Sequence, residues 1–191
     1  VKLKTLVLAG LFAMATLPAF AADAYKIDPA HTQVLFSYNH LGFSNITGRF
    51  DRVESEFAFD AADPSQSSLS VSIPVDSIST GVAKFDEHLL GADFFDVGKY
   101  PTATFTSTAV TVTGEDKLAV AGDLTIHGVT RPVVMDVTIN KIADHPMSKK
   151  PAAGFDARID IKRSEFGLGA FAMAASDDVR IAITVEAQKA E

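Results

Sequence analysis

From Gln33 onward, apolar and polar positions alternate with period two, the pattern of strands that bury one face and wet the other. The alternation is cleanest in the C-terminal half. Leu118, Val120, Leu124 and Ile126 share one face, while Ala119, Asp123 and Thr125 take the other. Val133, Met135, Val137 and Ile139 repeat the pattern. Phe155, Ala157, Ile159 and Ile161 alternate with Asp156, Arg158, Asp160 and Lys162, and Val179, Ile181, Ile183 and Val185 with Asp178, Arg180, Thr184 and Glu186. Earlier, Val34, Phe36 and Tyr38 mark one strand. A long run from Ile46 to Asp60 changes phase between Phe50 and Val53, which predicts a bulge. Leu69, Val71, Ile73 and Val75 follow, with Pro74 on the opposite parity as at an edge or bend. The run Thr102 to Thr113 meets its successor across Gly114-Glu115-Asp116-Lys117, and His127-Gly128-Val129-Thr130 makes a second tight turn. The stretch from His145 to Pro151 has no periodicity and reads as an exposed loop.

One segment departs from this rhythm. Val82, Phe85 and Leu89 fall at helical spacing between Ser79 and Gly91, with Thr80 placed to cap the start and Gly91 to end the helix in a left-handed conformation. Eight strands and one short helix define an all-β chain. Antiparallel strands with one-sided apolar faces need two sheets face to face or one sheet closed on itself. Eight is the number at which a closed barrel is filled by side chains or holds one small ligand, so the count favours an eight-stranded antiparallel, lipocalin-like barrel over a sandwich.

Composition narrows the chemistry. The 191 residues carry 17 basic and 24 acidic side chains, a formal charge of −7, and nothing supplies the basic surface that nucleic acids require. No cysteine is present, which excludes disulfides, thiolate metal sites and cysteine nucleophiles. Fourteen Phe beside three Tyr and no Trp lean toward apolar packing rather than polar-tipped recognition. Lys2 and Lys4, the apolar run from Leu6 to Thr16, Pro18 and Ala19-Phe20-Ala21 have the three-part layout of a secretory signal, too short in its apolar run to span a bilayer. We therefore expect a cleaved signal peptide at 1–21, a single domain at 22–191 and a periplasmic location. Cleavage removes two lysines and takes the formal charge to −9.

Candidate catalytic strings are sparse. The five histidines, His31, His40, His88, His127 and His145, form no helical zinc motif. Asp86 and His88 invite an acid–base reading, yet residues two apart on a helix point to different faces. No GxSxG elbow or phosphate-binding GxxxxGK[ST] string exists. What remains is apolar. Phe36, Tyr38, Phe50, Phe57, Phe59, Phe94, Phe95 and Phe105 load the N-terminal half with large rings, whereas the C-terminal strands carry Val, Ile and Ala. Large rings at a mouth with slim side chains deeper leave room for a linear apolar ligand; a solid core is the alternative. Ten-residue strands rise about 33 Å, a length suited to a long-chain lipid.

Several strings occur together in a distinctive order. Tyr25-Lys26-Ile27-Asp28 with His31, His40-Leu41-Gly42, Gly48-Arg49-Phe50, Asp86-Glu87-His88-Leu89, Asp93-Phe94-Phe95-Asp96, Tyr100-Pro101 with Phe105, the run from Gly122 to Thr130, and Arg163-Ser164-Glu165-Phe166-Gly167 resemble the YceI-like family over about residues 24 to 188. The resemblance implies a lipocalin-like barrel that binds polyisoprenoid or related long-chain amphiphiles, such as isoprenoid quinones, in an internal tunnel. It implies no reaction and no cofactor other than the bound lipid. It also implies periplasmic members and common dimers, and a homodimer and transient inner-membrane contact follow as expectations. Where the family often carries basic residues around the Asp-x-His-Leu string, this chain has Phe85 and Leu90, which favours a neutral headgroup over a pyrophosphate. Strand parity and the resemblance together nominate Phe36, Tyr38, Phe50, Leu89, Phe94, Phe95, Leu124 and Ile126 as chain contacts. They also nominate His40, Asp86, His88 and Arg163 as rim or framework residues. Two competing readings are a hydrolase or isomerase using Asp86, His88 or His127, and an envelope stress-response protein whose ligand is incidental.

Overall fold

The computed structural model describes residues 22–191; the expected signal segment, 1–21, lies outside the described residues. Eleven strand segments form one antiparallel sheet: β1 (Asp23–Ile27), β2 (Gln33–His40), β3 (Ser44–Phe50), β4 (Glu54–Phe59), β5 (Ser68–Pro74), β6 (Ile78–Ser79), β7 (Thr102–Gly114), β8 (Lys117–Ile126), β9 (Val129–Asp144), β10 (Pro151–Lys162) and β11 (Ala175–Lys189). The order β1-β4-β5-β7-β8-β9-β10-β11 returns to β1 through a β1–β11 pairing, so eight strands close the barrel.

Eleven segments and eight strands are the same architecture counted differently. One edge of β11 pairs β2 from Ala175 to Thr184 and β1 from Ala187 to Lys189, so β1 and β2 act as one interrupted strand. The segments β3 and β4 are likewise one run broken at 51–53. That break lets Phe50 and then Val53, Phe57 and Phe59 all face inward, and it is three residues out of strand where the sequence predicted a bulge. True bulges lie elsewhere. A register shift between Ser107 and Ala109 allows both Phe105 and Val110 to point inside although their parity differs.

One end of the barrel is covered by α1 (Ala83–Leu90), the one α-helix among the described residues, and the loop that follows it. The helix starts one residue pair later than the capping pattern predicts. Val82 stands at the cap with no side-chain bond, because the Thr80 amide and hydroxyl both donate to the Asp86 carboxylate at 2.7 and 2.6 Å. Gly91 is extended rather than left-handed, and the chain leaves α1 directly into the loop. The loop amides of Phe95 and Val97 then donate back to Leu89 and Leu90 carbonyls. Val75, Ala103, Ile126, Phe166 and Leu168 form a small core beneath, against which Leu90, Phe95 and Val97 pack.

The β8–β9 turn has both central residues at positive φ, His127 at 52° and Gly128 at 73°, the primed geometry that matches strand twist. Its His127 ring lies 4.3 Å from that of Tyr100, which fastens the loop after α1 to the barrel rim. Across the ladder, the Phe105 ring occupies the space above Gly122, where an added methyl carbon would sit 2.4 Å from the ring and 2.5 Å from the Thr106 carbonyl oxygen. The backbone contact leaves no room to relax. Gly122→Ala is therefore expected to lower unfolding free energy by about 1–3 kcal/mol, read by urea denaturation; an unchanged midpoint would mean that the two strands separate freely here.

Candidate functional site

The one-sided alternation of every long strand sends its apolar face into the barrel, and the question is whether those side chains meet. At one end they do. Tyr25, Phe57, Phe59 and Phe155 pack with ring centroids 5.1–5.9 Å apart. Phe59 and Ala187 beside them are sealed from solvent. Large rings therefore close the far end as well as framing the mouth, in place of the single ring-lined mouth read from composition. Between the two groups the walls are slim, with Val110, Val120, Val133, Ala157, Ile181 and Ile183. They leave a cavity of about 440 Å³, within the range of small-molecule sites.

All eight proposed chain contacts border this cavity. Phe36, Tyr38, Phe50, Leu124 and Ile126 come from β2, β3 and β8, Leu89 from α1, and Phe94 and Phe95 from the loop after it. Phe50 joins Phe36 at 5.8 Å and Phe95 at 6.2 Å, so strand and loop rings interlock at the mouth. Burial raises the Tyr38 phenol above its ordinary pKa and keeps it neutral. Phe85 lines the same space one helical turn before Leu89; sequence reasoning placed it on the helix beside Leu89 but did not name it as a chain contact. Its i, i+4 spacing to Leu89 was the available signal.

The four polar candidates separate. His40 and Arg163 border the cavity; Asp86 and His88 do not. Asp86 is engaged by Thr80, and the His88 ring lies against Phe94 at 5.0 Å and Phe171 at 6.1 Å. The structure thus does not assemble Asp86 and His88 into a facing acid–base pair. Their roles are to hold the start of α1 and to pack the rim. His127, the third residue of the catalytic alternative, packs on Tyr100 in its turn.

Arg163 is only 8% exposed yet, among the described residues, faces no carboxylate within ion-pair distance. It donates instead to four backbone carbonyls: Leu168 and Ala170 (2.7 Å) in the loop between β10 and β11, and Ala175 (3.0 Å) and Ser176 (2.9 Å) at the start of β11. Its neighbour Ser164 donates amide and hydroxyl to Asp177, which hold that carboxyl below its usual range. The guanidinium is thereby consumed in shaping the loop that carries Leu168, Phe171 and Ala174 to the mouth. Sequence reasoning also missed Thr32. Thr32 borders the cavity at the β1–β2 interruption, and its hydroxyl is the one buried side-chain polar atom without a hydrogen-bond partner among the described residues.

A closed antiparallel barrel, sealed by rings at one end, hollow and apolar through its middle, defines the class. Residues 25–187 match the family model described as YceI-like domain, and the chain belongs to that family. It is 41% identical over 170 residues to Protein YceI of Escherichia coli O17:K52:H18, covering 88% of this chain and 87% of that protein. The crystal structure of Burkholderia cenocepacia BcnA superposes with a TM-score of 0.77 at 28% identity, over 84% of this chain and 99% of that one. A polyisoprenoid binding domain from Saccharophagus degradans shares the fold at a TM-score of 0.67 and 18% identity, over 88% of this chain and 99% of that one.

Removing the guanidinium leaves four carbonyls to find other donors. Arg163→Met should cost about 3 kcal/mol and speed amide exchange selectively across 167–176 relative to β8 and β9. Equal exchange in both regions would show that Arg163 does not hold the loop.

Proposed function

We propose that this protein is a non-catalytic periplasmic carrier or store for an isoprenoid lipid, with a neutral isoprenoid quinone preferred to a prenyl pyrophosphate. The observation that carries this is the hollow, almost wholly apolar barrel interior with a ring-sealed floor. A linear hydrocarbon gains about 25 cal/mol for each Å² it removes from water, so chain burial alone supplies strong retention. The Saccharophagus degradans domain of the same fold is described as polyisoprenoid binding, which supports the ligand class. The signal-like segment at 1–21 supports export.

Charge supports the neutral headgroup. Among the described residues no lysine borders the cavity, and the one arginine that does, Arg163, has its donors engaged by backbone carbonyls. Phe85 lines the wall where relatives are expected to place a basic side chain. A pyrophosphate brought to this mouth would lose water without gaining a cation. Away from the mouth, level with Val185 and Phe155, Thr32 holds a hydroxyl without a protein partner that would turn to an oxygen of the ligand.

Delipidated protein should bind a quinone at least about tenfold more tightly than a prenyl pyrophosphate of equal chain length, a gap of about 1.4 kcal/mol; the reverse order would refute the neutral-headgroup assignment. Phe50→Asp or Leu124→Asp should abolish lipid retention with the strand signature in circular dichroism intact, while the outward Asp123→Ala should not. Thr32→Val should weaken quinone binding about fivefold, one neutral hydrogen bond, and leave an isoprenoid hydrocarbon unaffected. Equal loss for both ligands would assign Thr32 a packing role only.

A further inference from the structure

The two loops at the open end of the barrel carry large apolar side chains into solvent. Phe43 is 90% exposed and Leu41 53% on the β2–β3 hairpin, and Met173 94% and Phe171 53% on the loop before β11. The two tips are neighbours: the Leu41 amide donates to the Ala174 carbonyl at 2.9 Å, and His40 pairs Ala175. Phe171 stacks on Phe94 at 5.3 Å, and Phe171, Ala174 and His40 border the cavity, so the exposed patch is continuous with the tunnel lining. Leu41 and Phe171 are both held at positive φ, 55° and 56°, a backbone state that bulky side chains avoid.

Charge is missing from the same place. Residues 38–48 and 166–176 contain no Asp, Glu, Lys or Arg, in a chain that carries 24 acidic residues. The two tips themselves are thus free of charge, while the loop after α1 beside them carries the exposed Asp93 next to Phe94. The patch presents on the order of 500 Å² of apolar surface, short of the roughly 800 Å² per partner of a stable protein interface. It also stands on two projecting tips instead of a flat face. Scattered apolar residues elsewhere, such as Met147 at the opposite end, stand apart from this cluster.

We propose that the Leu41–Phe43 and Phe171–Met173 tips dock the open end of the barrel onto a lipid bilayer, inserting Phe43 and Met173 at the headgroup–acyl boundary so that the tunnel opens into the membrane. The inference rests on the carrier reading for its purpose, but the surface itself is independent of which lipid is carried. Docking of this kind is driven by apolar burial, so it persists at high salt and needs no anionic lipid.

Flotation with vesicles of phosphatidylcholine alone, and of phosphatidylcholine with phosphatidylglycerol, tests it. The protein should float with both, in low and high salt. The double variant Phe43→Ser/Met173→Ser should lose at least about tenfold in vesicle affinity while its thermal midpoint and its extractable lipid stay unchanged. Absence of flotation, or equal flotation of the variant, would overturn the proposal, as would a dimer in solution that the double variant turns into a monomer, which puts a second copy on the patch. Vesicle binding by a protein that holds no lipid supports the docking surface and overturns the carrier reading; lipid retention without vesicle binding does the opposite.

Discussion

Everything in this molecule depends on the two-sided pairing of β11. One edge of that strand bonds β10 over its length, and the other bonds β2 and then β1, so the sheet returns on itself. Closure satisfies backbone donors and acceptors that an open sheet would leave at exposed edges. It also decides where the apolar faces go. With no second sheet to pack against, Val179, Ile181, Ile183 and Val185 can bury themselves only toward the barrel axis, and their counterparts on β7 to β10 do the same. Eight strands set an interior that side chains fill or leave hollow according to their size. Here Tyr25, Phe57, Phe59 and Phe155 fill one end, and valines, alanines and isoleucines leave the middle open.

The open end is organised by a different kind of force. Burying a guanidinium demands hydrogen-bond partners, and Arg163 finds them in backbone carbonyls rather than in a carboxylate. That choice has two consequences. The β10–β11 loop is fixed in a shape that places Leu168 in the small core, Phe171 at the mouth and Met173 in solvent. The positive charge also stops being a resource for binding anions. Arg163, nominated from sequence as a rim or framework residue, is a structural clasp, and the apolar character of the mouth follows from it.

Strand faces were legible because period two is a one-dimensional signal. Each predicted inward set on β8 to β11 faces the interior, Ile139 in the packed core and the rest along the cavity, and the apolar contacts nominated from parity and resemblance border the cavity. Less legible were features set by contacts between distant segments. The break at 51–53 satisfies the same parity switch that a bulge would, and only the pairing of β3 and β4 with different partners distinguishes them. Thr80 has the chemistry of a cap, yet Asp86 competes for its amide and hydroxyl, so the helix starts at Ala83. Asp86 and His88 looked catalytic by type, but neither side chain borders the cavity. The closure of β1 on β11, the ring-sealed floor and the lone hydroxyl of Thr32 had no sequence signal short of the assembled barrel.

The central claim is that the barrel is hollow in order to hold one long apolar molecule. Native mass spectrometry of the protein taken from its own cells, followed by extraction and identification of what dissociates, tests this most directly. The account predicts one neutral isoprenoid lipid per barrel, retained through purification and released on unfolding. A bare polypeptide mass, with no small molecule recovered from freshly isolated protein, would contradict it.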